Sequence, residues 1–255
     1  MTALITGGSS GMGLEFARQL AARGYDLILV SNRAEELEEA AAKVRAEAQV
    51  EVSVHFEDLA RMQAADELFA WCVEERSVVP DVLVNDAGTF FFKELQREDM
   101  DRVQAMIDLH VVTVTRLCLL FGEEMKRRGS GRILNISSMT ARIPAPGITI
   151  YSATKAYLKS FGRSLSYEYK PYGVSVTTVC PAAISTPLYR LSDKQMKAGL
   201  RAGLIHTPQW LVRRALKAMF RGRRVISPSF MNVWLPALIA IIPGPIVARI
   251  WNKLK

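Results

Sequence analysis

Cysteine and histidine are scarce in this sequence, with three of each in 255 residues. The cysteines are odd in number and far apart, which favours a reducing compartment with structural thiols over a disulfide framework. No C-x-x-C pair or close histidine pair occurs, so we expect no metal site. We also expect no targeting segment, because residues 2–6, TALIT, are typical of a short buried strand and a glycine-rich turn follows at once. The predicted location is the cytoplasm.

Acidic residues are almost missing from the last quarter of the chain. Residues 190–255 contain only Asp193 of the 25 acidic residues but 13 of the 33 Lys and Arg residues. A basic segment of this kind can bind anionic lipid, nucleic acid or an acidic substrate carrier, or it can simply form a solvated surface. Aromatic residues are not interleaved with the basic ones in the way that stacks nucleic acid bases, so we expect no nucleic acid partner.

Long apolar runs are also rare, and the longest lies at the C-terminus. Residues 230–251, FMNVWLPALIAIIPGPIVARIW, carry one charge, Arg249, in 22 residues. Their three prolines argue against a straight membrane span. The flanking basic residues suit an interfacial helix on anionic lipid, which would make the protein peripheral at a membrane. The alternatives for this apolar C-terminal extension, residues 230–255, are a cover over the substrate or a contact with a second subunit.

Short apolar runs alternate with longer helical patterns along most of the chain. TALIT, YDLILVS, VEVSVHF, DVLVN, GRILNIS and VSVTTVC are each separated by a stretch of helical periodicity. This alternation predicts βαβ units, and the near-continuous Val, Ile and Leu indicate strands buried on both faces. We therefore predict a single doubly wound α/β domain over residues 1–255, a parallel sheet with helices on both faces. Residues 187–206 are predicted to form a substrate lid.

A glycine-rich turn, TGGSSGMG, connects the first strand to the first helix. Its glycines allow a tight turn, close approach of the backbone to a pyrophosphate and close packing of helix on sheet. The first helix then offers free N–H groups and the positive end of its dipole. The position between strand and helix makes dinucleotide binding the favoured interpretation over a plain structural turn. The residues of this turn predicted to bind the cofactor are Gly7, Ser9, Ser10, Gly11, Met12 and Gly13.

Tyr151 and Lys155 lie one helical turn apart in the segment YSATKAYLKSFGRSL. An ammonium about 5 Å away, at an effective dielectric constant of roughly 20, favours the phenolate by about 3 kcal/mol, or some 2 pKa units. The hydroxyl of Tyr151 would then approach the working range of a general acid and base. A pair with this spacing is more often a surface contact, and the surrounding motifs decide between the two.

Those motifs resemble the short-chain dehydrogenase/reductase family. T-G-x-x-x-G-x-G, NDAG at residues 85–88, a serine thirteen residues before Y-x-x-x-K, and PAAIST at residues 181–186 occur in the family's order. The resemblance implies a Rossmann-like fold and a homodimer or homotetramer with the fourth and fifth helices in the interface. It implies that Ser138 hydrogen-bonds the substrate oxygen, Tyr151 exchanges the proton, and Lys155 also binds the nicotinamide ribose. Further cofactor contacts implied are Asp58, Leu59, Asn85, Ala87, Gly88, Pro181, Ile184 and Thr186.

The end of the second strand predicts which nicotinamide cofactor is bound. NAD sites usually place a carboxylate there for the ribose hydroxyls, but this chain has Ser31, Asn32 and Arg33. Hydroxyl, amide and guanidinium groups can hydrogen-bond a 2′-phosphate, the guanidinium with charge assistance. We therefore predict NADP, with contacts from Asn32 and Arg33. The family's usual arginine falls at the place of Asn32, so NAD stays the alternative.

Three positions depart from the family pattern. His110 stands where the family has an asparagine, and it is either a proton relay that titrates near neutrality or a satisfied core histidine. Asp86 replaces the second asparagine of N-N-A-G and could shift the local charge near the cofactor. Ala182 replaces a glycine and only requires that this position avoid a positive φ. None of these changes is expected to abolish activity.

Taken together, these patterns predict an NADP(H)-dependent oxidoreductase that transfers hydride to a ketone or aldehyde. The leucines of the lid favour a bulky, apolar carbonyl substrate. One alternative is a catalytically silent NADP(H) sensor, which would not need to keep Ser138, Tyr151 and Lys155. The other is a membrane-associated scaffold.

Overall fold

The computed structural model describes residues 1–143, 145–186 and 193–229, and beyond these only Ile246 and Arg249. The first part of the predicted lid, residues 187–192, lies outside the described residues. The predicted C-terminal extension, residues 230–255, also lies outside them apart from those two residues. The second part of the lid, residues 193–206, is described.

A seven-stranded parallel sheet forms the centre of the molecule, in the strand order β3-β2-β1-β4-β5-β6-β9. Its interior strands are buried and rich in Val, Ile and Leu, so their side chains face apolar layers on both sides. This arrangement confirms the predicted doubly wound fold. The strands are β1 Thr2–Thr6, β2 Asp26–Ser31, β3 Val52–Phe56, β4 Val82–Asn85, β5 Gly131–Ile136, β6 Val174–Val179 and β9 Val225–Ile226.

Helices cover both faces of the sheet. One apolar cluster joins Ile5 and Leu29 of the sheet to α1 Gly11–Ala21, α2 Ala34–Glu47 and α8 Pro208–Phe220. The other joins Leu4 and Leu83 to α3 Ala64–Ala70, α5 Val114–Arg128 and α6 Thr149–Tyr169. Leu4 and Ile5 are neighbours in β1 and point to opposite clusters, as the two-residue period of a strand requires.

The fourth helical segment contains an irregularity that periodicity did not predict. A short 3₁₀ turn, Arg97–Asp99, leads into α4 Met100–Ile107, and a π-helical stretch, Asp108–Thr113, joins α4 to α5. The helical segment Arg97–Arg128 is long and apolar enough to cross a membrane by length and composition. However, Leu117, Phe121 and Met125 of α5 are fully buried against the sheet, which identifies it as a core helix.

The chain after β6 adds short elements beside the sheet. Strand β7 Ala183–Ile184 pairs in parallel with β8 Ile205–His206, and α7 Asp193–Arg201 lies between them in sequence. Helix α8 begins as predicted, because Thr207 is its N-cap, accepting a hydrogen bond from the Trp210 N–H at 3.3 Å, and Pro208 is the first helical residue. The predicted edge strand at RRVISPS is confirmed as β9.

Candidate active site

A cavity of about 390 Å³ opens at the carboxyl ends of the strands. The strand order reverses between β1 and β4, and ligands of doubly wound sheets bind at such a point. Most of the residues predicted from the sequence meet in its wall. These are Gly7, Ser9, Ser10, Gly11, Met12, Asn32, Arg33, Asp58, Leu59, Ala87, Gly88, His110, Tyr151, Lys155, Pro181, Ile184 and Thr186.

The glycine-rich turn is packed too tightly for side chains at two positions. A Cβ on Gly7, where φ is +74°, would lie 3.0 Å from the Ala87 backbone, and one on Gly13 would lie 2.1 Å from the Gly7 carbonyl oxygen. The Thr6 hydroxyl accepts hydrogen bonds from the N–H groups of Asp86 and Ala87, both at 3.1 Å. The turn and the NDAG segment therefore form one unit, and the first turn of α1 faces the cavity, as a pyrophosphate site requires. Gly13 serves this packing and does not itself line the cavity.

Polar residues at the carboxyl ends of β2 and β3 line one end of the cavity. The Ser31 hydroxyl donates to the Ser9 hydroxyl at 3.0 Å. Arg33 forms an ion pair with Glu36 at 3.0 Å, and both side chains are about half exposed. Exposed pairs of this kind stabilise by at most about 1 kcal/mol. The guanidinium is thus available to an anionic ligand at this end.

Lys155 is buried beside Tyr151. Its Nζ donates to the Ile136 carbonyl at 2.9 Å and lies 5.7 Å from the centroid of the Tyr151 ring. Burial lowers the pKa of Lys155 to about 8, although the nearby Asp86 charge acts to raise it. The helical spacing thus brings the pair into one buried site and not onto the surface.

Apolar side chains pack around the Tyr151 ring. The Phe90 ring meets it edge to face, with the two centroids 5.0 Å apart. Phe91 and Met106 are buried in the same cluster, and Ile148 and Ile150 pack against it. Of this cluster, Phe90 and Tyr151 themselves line the cavity.

Ser138 lies close to this site but is not among the residues that line the cavity. It is buried at the N-cap of a short 3₁₀ turn, and its hydroxyl oxygen accepts the Thr140 N–H at 3.1 Å. The hydroxyl proton is not used by that bond. The neighbouring Ser137 does line the cavity, and its hydroxyl donates to the Lys155 carbonyl at 2.6 Å.

His110 is buried with protein partners on both ring nitrogens. Its Nε2 accepts the Thr89 N–H at 3.0 Å, which leaves Nδ1 to donate to the Thr154 hydroxyl at 3.0 Å. Burial, and secondarily the Lys155 charge, lowers the pKa of His110 well below its ordinary value. These contacts support the core-histidine alternative, and a relay role stays a prediction.

Asp86 carries the most unusual carboxyl group of the site. Its Oδ1 is buried and, within the part of the chain that the structure describes, has no hydrogen-bond partner. The Gly13 N–H donates a hydrogen bond to this carboxylate, and Lys155 is the nearby cation. Burial raises the pKa of Asp86 to about 7 against the opposing effects of these two groups.

Asn85, predicted to contact the cofactor, points elsewhere. Its Nδ2 donates to Asn135 Oδ1 at 2.8 Å in the interior, and it does not line the cavity. A direct contact from this side chain to the cofactor is therefore not supported.

Several residues that line the cavity were not predicted from the sequence, although most are neighbours of motif residues. They are Ser31, Glu57, Asp86, Thr89, Phe90, Leu109, Ile136 and Ser137.

Comparison with known proteins identifies the family. The sequence profile described as short chain dehydrogenase matches residues 1–197, so the chain belongs to this family of oxidoreductases. The 17-beta-hydroxysteroid dehydrogenase type 3 of Danio rerio is 29% identical over 247 residues, covering 94% of this chain and 76% of that protein. The very-long-chain 3-oxoacyl-CoA reductase of Macaca fascicularis is 29% identical over 252 residues, covering 97% and 77%.

A solved structure supports the same assignment. The short-chain dehydrogenase from Sphingobium yanoikuyae, in complex with NADPH, superposes with a TM-score of 0.79 at 28% identity. The match covers 95% of this chain and 96% of that one.

Proposed function

We propose that this protein is an NADP(H)-dependent reductase of a bulky, apolar ketone or aldehyde. The observation that carries the proposal is the burial of Tyr151 beside Lys155 in the wall of the cavity that the glycine-rich turn also lines. A dinucleotide bound along this cavity would supply the hydride. The roles below follow from where the side chains lie.

Tyr151 is the proposed proton donor in reduction and the acceptor in oxidation. The Lys155 ammonium, 5.7 Å from the ring centroid, favours the phenolate and so makes the hydroxyl a stronger acid. Ser138 would donate its hydroxyl proton to the substrate oxygen as charge develops there. Its oxygen accepts the Thr140 N–H, a bond that does not use this proton.

The preference for NADP is supported by the groups at the far end of the cavity. Asn32 and Arg33 line it there, and no carboxylate follows β2 directly. A 2′-phosphate could draw the guanidinium from Glu36 at small cost, since that ion pair is exposed. The NADPH complex of the related structure agrees with this proposal.

The preference for an apolar substrate is supported by the ring cluster around Tyr151. Phe90, which lines the cavity and packs on the Tyr151 ring, would contact a group beside a carbonyl held at the hydroxyl. The names of the two relatives, a hydroxysteroid dehydrogenase and a very-long-chain acyl reductase, point in the same direction.

Assembly into a homo-oligomer is part of the proposal. Leu119 of α5 and Tyr157 of α6 are apolar side chains more than one third exposed. The family resemblance assigns the subunit interface to the fourth and fifth helices of the predicted pattern, and these correspond to the segment Arg97–Arg128, which includes α5, and to α6. Contact of the C-terminal extension with a membrane concerns residues outside the described part and stays a prediction.

Replacing Tyr151 with phenylalanine tests the proposal. The Tyr151→Phe variant should bind NADPH like the parent, because the ring and its packing remain, but lose at least about 100-fold in turnover of a panel of aryl and long-chain ketones. The matched control is Tyr157→Phe, six residues further along the same helix, where the tyrosine hydroxyl hydrogen-bonds the Thr115 hydroxyl at 2.9 Å. Substantial residual turnover in Tyr151→Phe would overturn the assignment of the proton donor.

A further inference from the structure

The outward side of helix α8 is strongly basic. The helix packs Leu211 and Ala215 against the sheet and α1. At about 100° per residue, Arg213, Lys217 and Arg221 follow one another along the opposite side. All three are exposed, and so are three further arginines next to them in the sequence. We call these six cations the α8 basic face, which consists of Arg213, Arg214, Lys217, Arg221, Arg223 and Arg224.

No acidic side chain balances this charge. Residues 194–255 contain no Asp or Glu, and none of the six cations forms an ion pair within the part of the chain that the structure describes. Helix α1, which bonds to α8 through Gln19, has a single acidic residue, Glu15, and this residue is buried and bonded to Gln19 at 2.7 Å. Six neighbouring positive charges repel one another, so the face favours a partner that brings negative charge.

The aromatic side chains of α8 are not arranged to stack nucleic acid bases. His206 stacks on the Trp210 ring with the centroids 3.9 Å apart, and the Arg214 guanidinium lies 4.0 Å from the centroid of the Trp210 ring. A base would have to displace one of these groups, and binding of single-stranded nucleic acid depends on such stacking. Phe220, at the end of α8, is 36% exposed. Tryptophan and phenylalanine among cations are typical of a surface that lies at lipid headgroups.

The α8 basic face lies next to the start of the apolar C-terminal segment. Ser229, three residues after β9, is buried, and its hydroxyl is hydrogen-bonded to His206 Nε2 at 3.1 Å. His206 in turn stacks on Trp210 of α8. The sequence therefore continues from beside this face into residues 230–251, which carry a single charge. A lipid bilayer offers both an anionic surface and an apolar interior, whereas a nucleic acid offers only the first.

We propose that the α8 basic face binds the surface of an anionic lipid bilayer, with its guanidinium groups on the lipid phosphates. Five of the six cations are arginines, whose planar guanidinium groups can bind two phosphate oxygens at once. Each cation near an anionic membrane strengthens binding about 5-fold. The inference goes beyond the proposed activity and does not depend on it, because none of residues 208–224 is among the residues that line the cavity.

Co-sedimentation of the full chain with lipid vesicles tests the proposal. The parent protein should sediment with phosphatidylcholine vesicles that contain about 30% phosphatidylserine and should stay in solution with phosphatidylcholine alone. The double variant Arg213→Ala/Lys217→Ala lacks two cations of the face and should bind the anionic vesicles about 30-fold more weakly. About 0.5 M NaCl should release the parent, because salt screens exposed charges.

A matched double variant separates this face from the net charge of the protein. Lys43→Ala/Arg97→Ala removes two exposed cations from α2 and from the 3₁₀ turn before α4. Its net charge equals that of the α8 variant, and it should bind the anionic vesicles like the parent. Thermal unfolding should be similar in all three proteins, because exposed cations contribute little to stability. If the α8 variant does not fold, Arg213→Gln/Lys217→Gln removes the same charges with longer side chains.

Four results would overturn the proposal. The first is equal binding of anionic vesicles by the parent and the α8 variant, and the second is an equal loss of binding in both double variants. The third is equal binding of neutral and anionic vesicles by the parent, which the apolar segment alone would explain. The fourth is binding of an RNA oligonucleotide or of polyglutamate by a parent protein that leaves anionic vesicles unbound, which would assign the face to a nucleic acid or an acidic protein.

The proposed function is decided by a different measurement. Turnover by Tyr151→Phe tests the chemistry at the cavity, and co-sedimentation needs neither substrate nor cofactor. A protein that fails one of the two tests therefore still gives a clear result in the other.

Discussion

The buried Asp86 carboxyl should cost the protein stability at neutral pH. Burial raises its pKa from 3.8 to about 7, so the folded protein binds more protons than the unfolded chain between these values. Stability is then lost as the pH rises through this window and stays low above it. A shift of about 3 units corresponds to about 4 kcal/mol. Asp86→Asn cannot ionise and should escape this loss.

Thermal unfolding between pH 4 and pH 8 measures the effect. In a chain of this size 1 kcal/mol moves Tm by roughly 2 to 4 °C, so Asp86→Asn should unfold about 10 °C above the parent at pH 8. Near pH 4 the two should unfold at nearly the same temperature, because the folded carboxyl is protonated there and the unfolded one, with a pKa of 3.8, is only partly ionised. A difference in Tm that is the same at both ends of the range, or a less stable variant at pH 8, would refute the assigned burial of the charge.

Two further predictions concern the cofactor and the histidine. Arg33→Ala should raise KM for NADPH about 10-fold and leave KM for NADH nearly unchanged, because a charge-assisted hydrogen bond to the 2′-phosphate is lost. Steady-state kinetics with each cofactor measures the two KM values. Equal changes in both would contradict the prediction. His110→Asn should give a pH–rate profile that overlays the parent, since the pKa of His110 lies well below its ordinary value and both ring nitrogens bond within the protein. A pH–rate profile that is shifted in His110→Asn would support a proton-relay role for His110.

The sheet and its helical layers were predictable because their signal is local. Strands such as TALIT and DVLVN show continuous apolar residues, and helices such as α8 show a cap and a period of 3.6 residues. The two-residue strands β7 and β8 carry no such signal. They form because residues 183–184 pair with residues 205–206, which are distant in the sequence. A local sequence pattern cannot predict such a pairing.

Which residues form the candidate site could largely be predicted from the sequence, but the contacts between them could not. Motif spacing indicated that Tyr151, Lys155 and the glycine-rich turn would meet, since all lie at the carboxyl ends of parallel strands or on helices beside them. It could not show that Asn85 turns inward to Asn135, or that Ser137 lines the cavity beside Ser138. The hydrogen-bond partners of His110 could not be predicted either, because Thr89 and Thr154 are 21 and 44 residues away in the sequence.

The π-helical stretch Asp108–Thr113 makes one part of the long helix tolerant of a change in chain length. A π-turn holds one residue more than an α-turn, so removing a residue there would leave an ordinary helix with α4 and α5 still aligned. The same deletion inside α5 would rotate all later residues by about 100° and turn Phe121 and Met125 away from the sheet. Single-residue deletions compatible with this fold should therefore be found within Asp108–Thr113 and not in the helix that follows it.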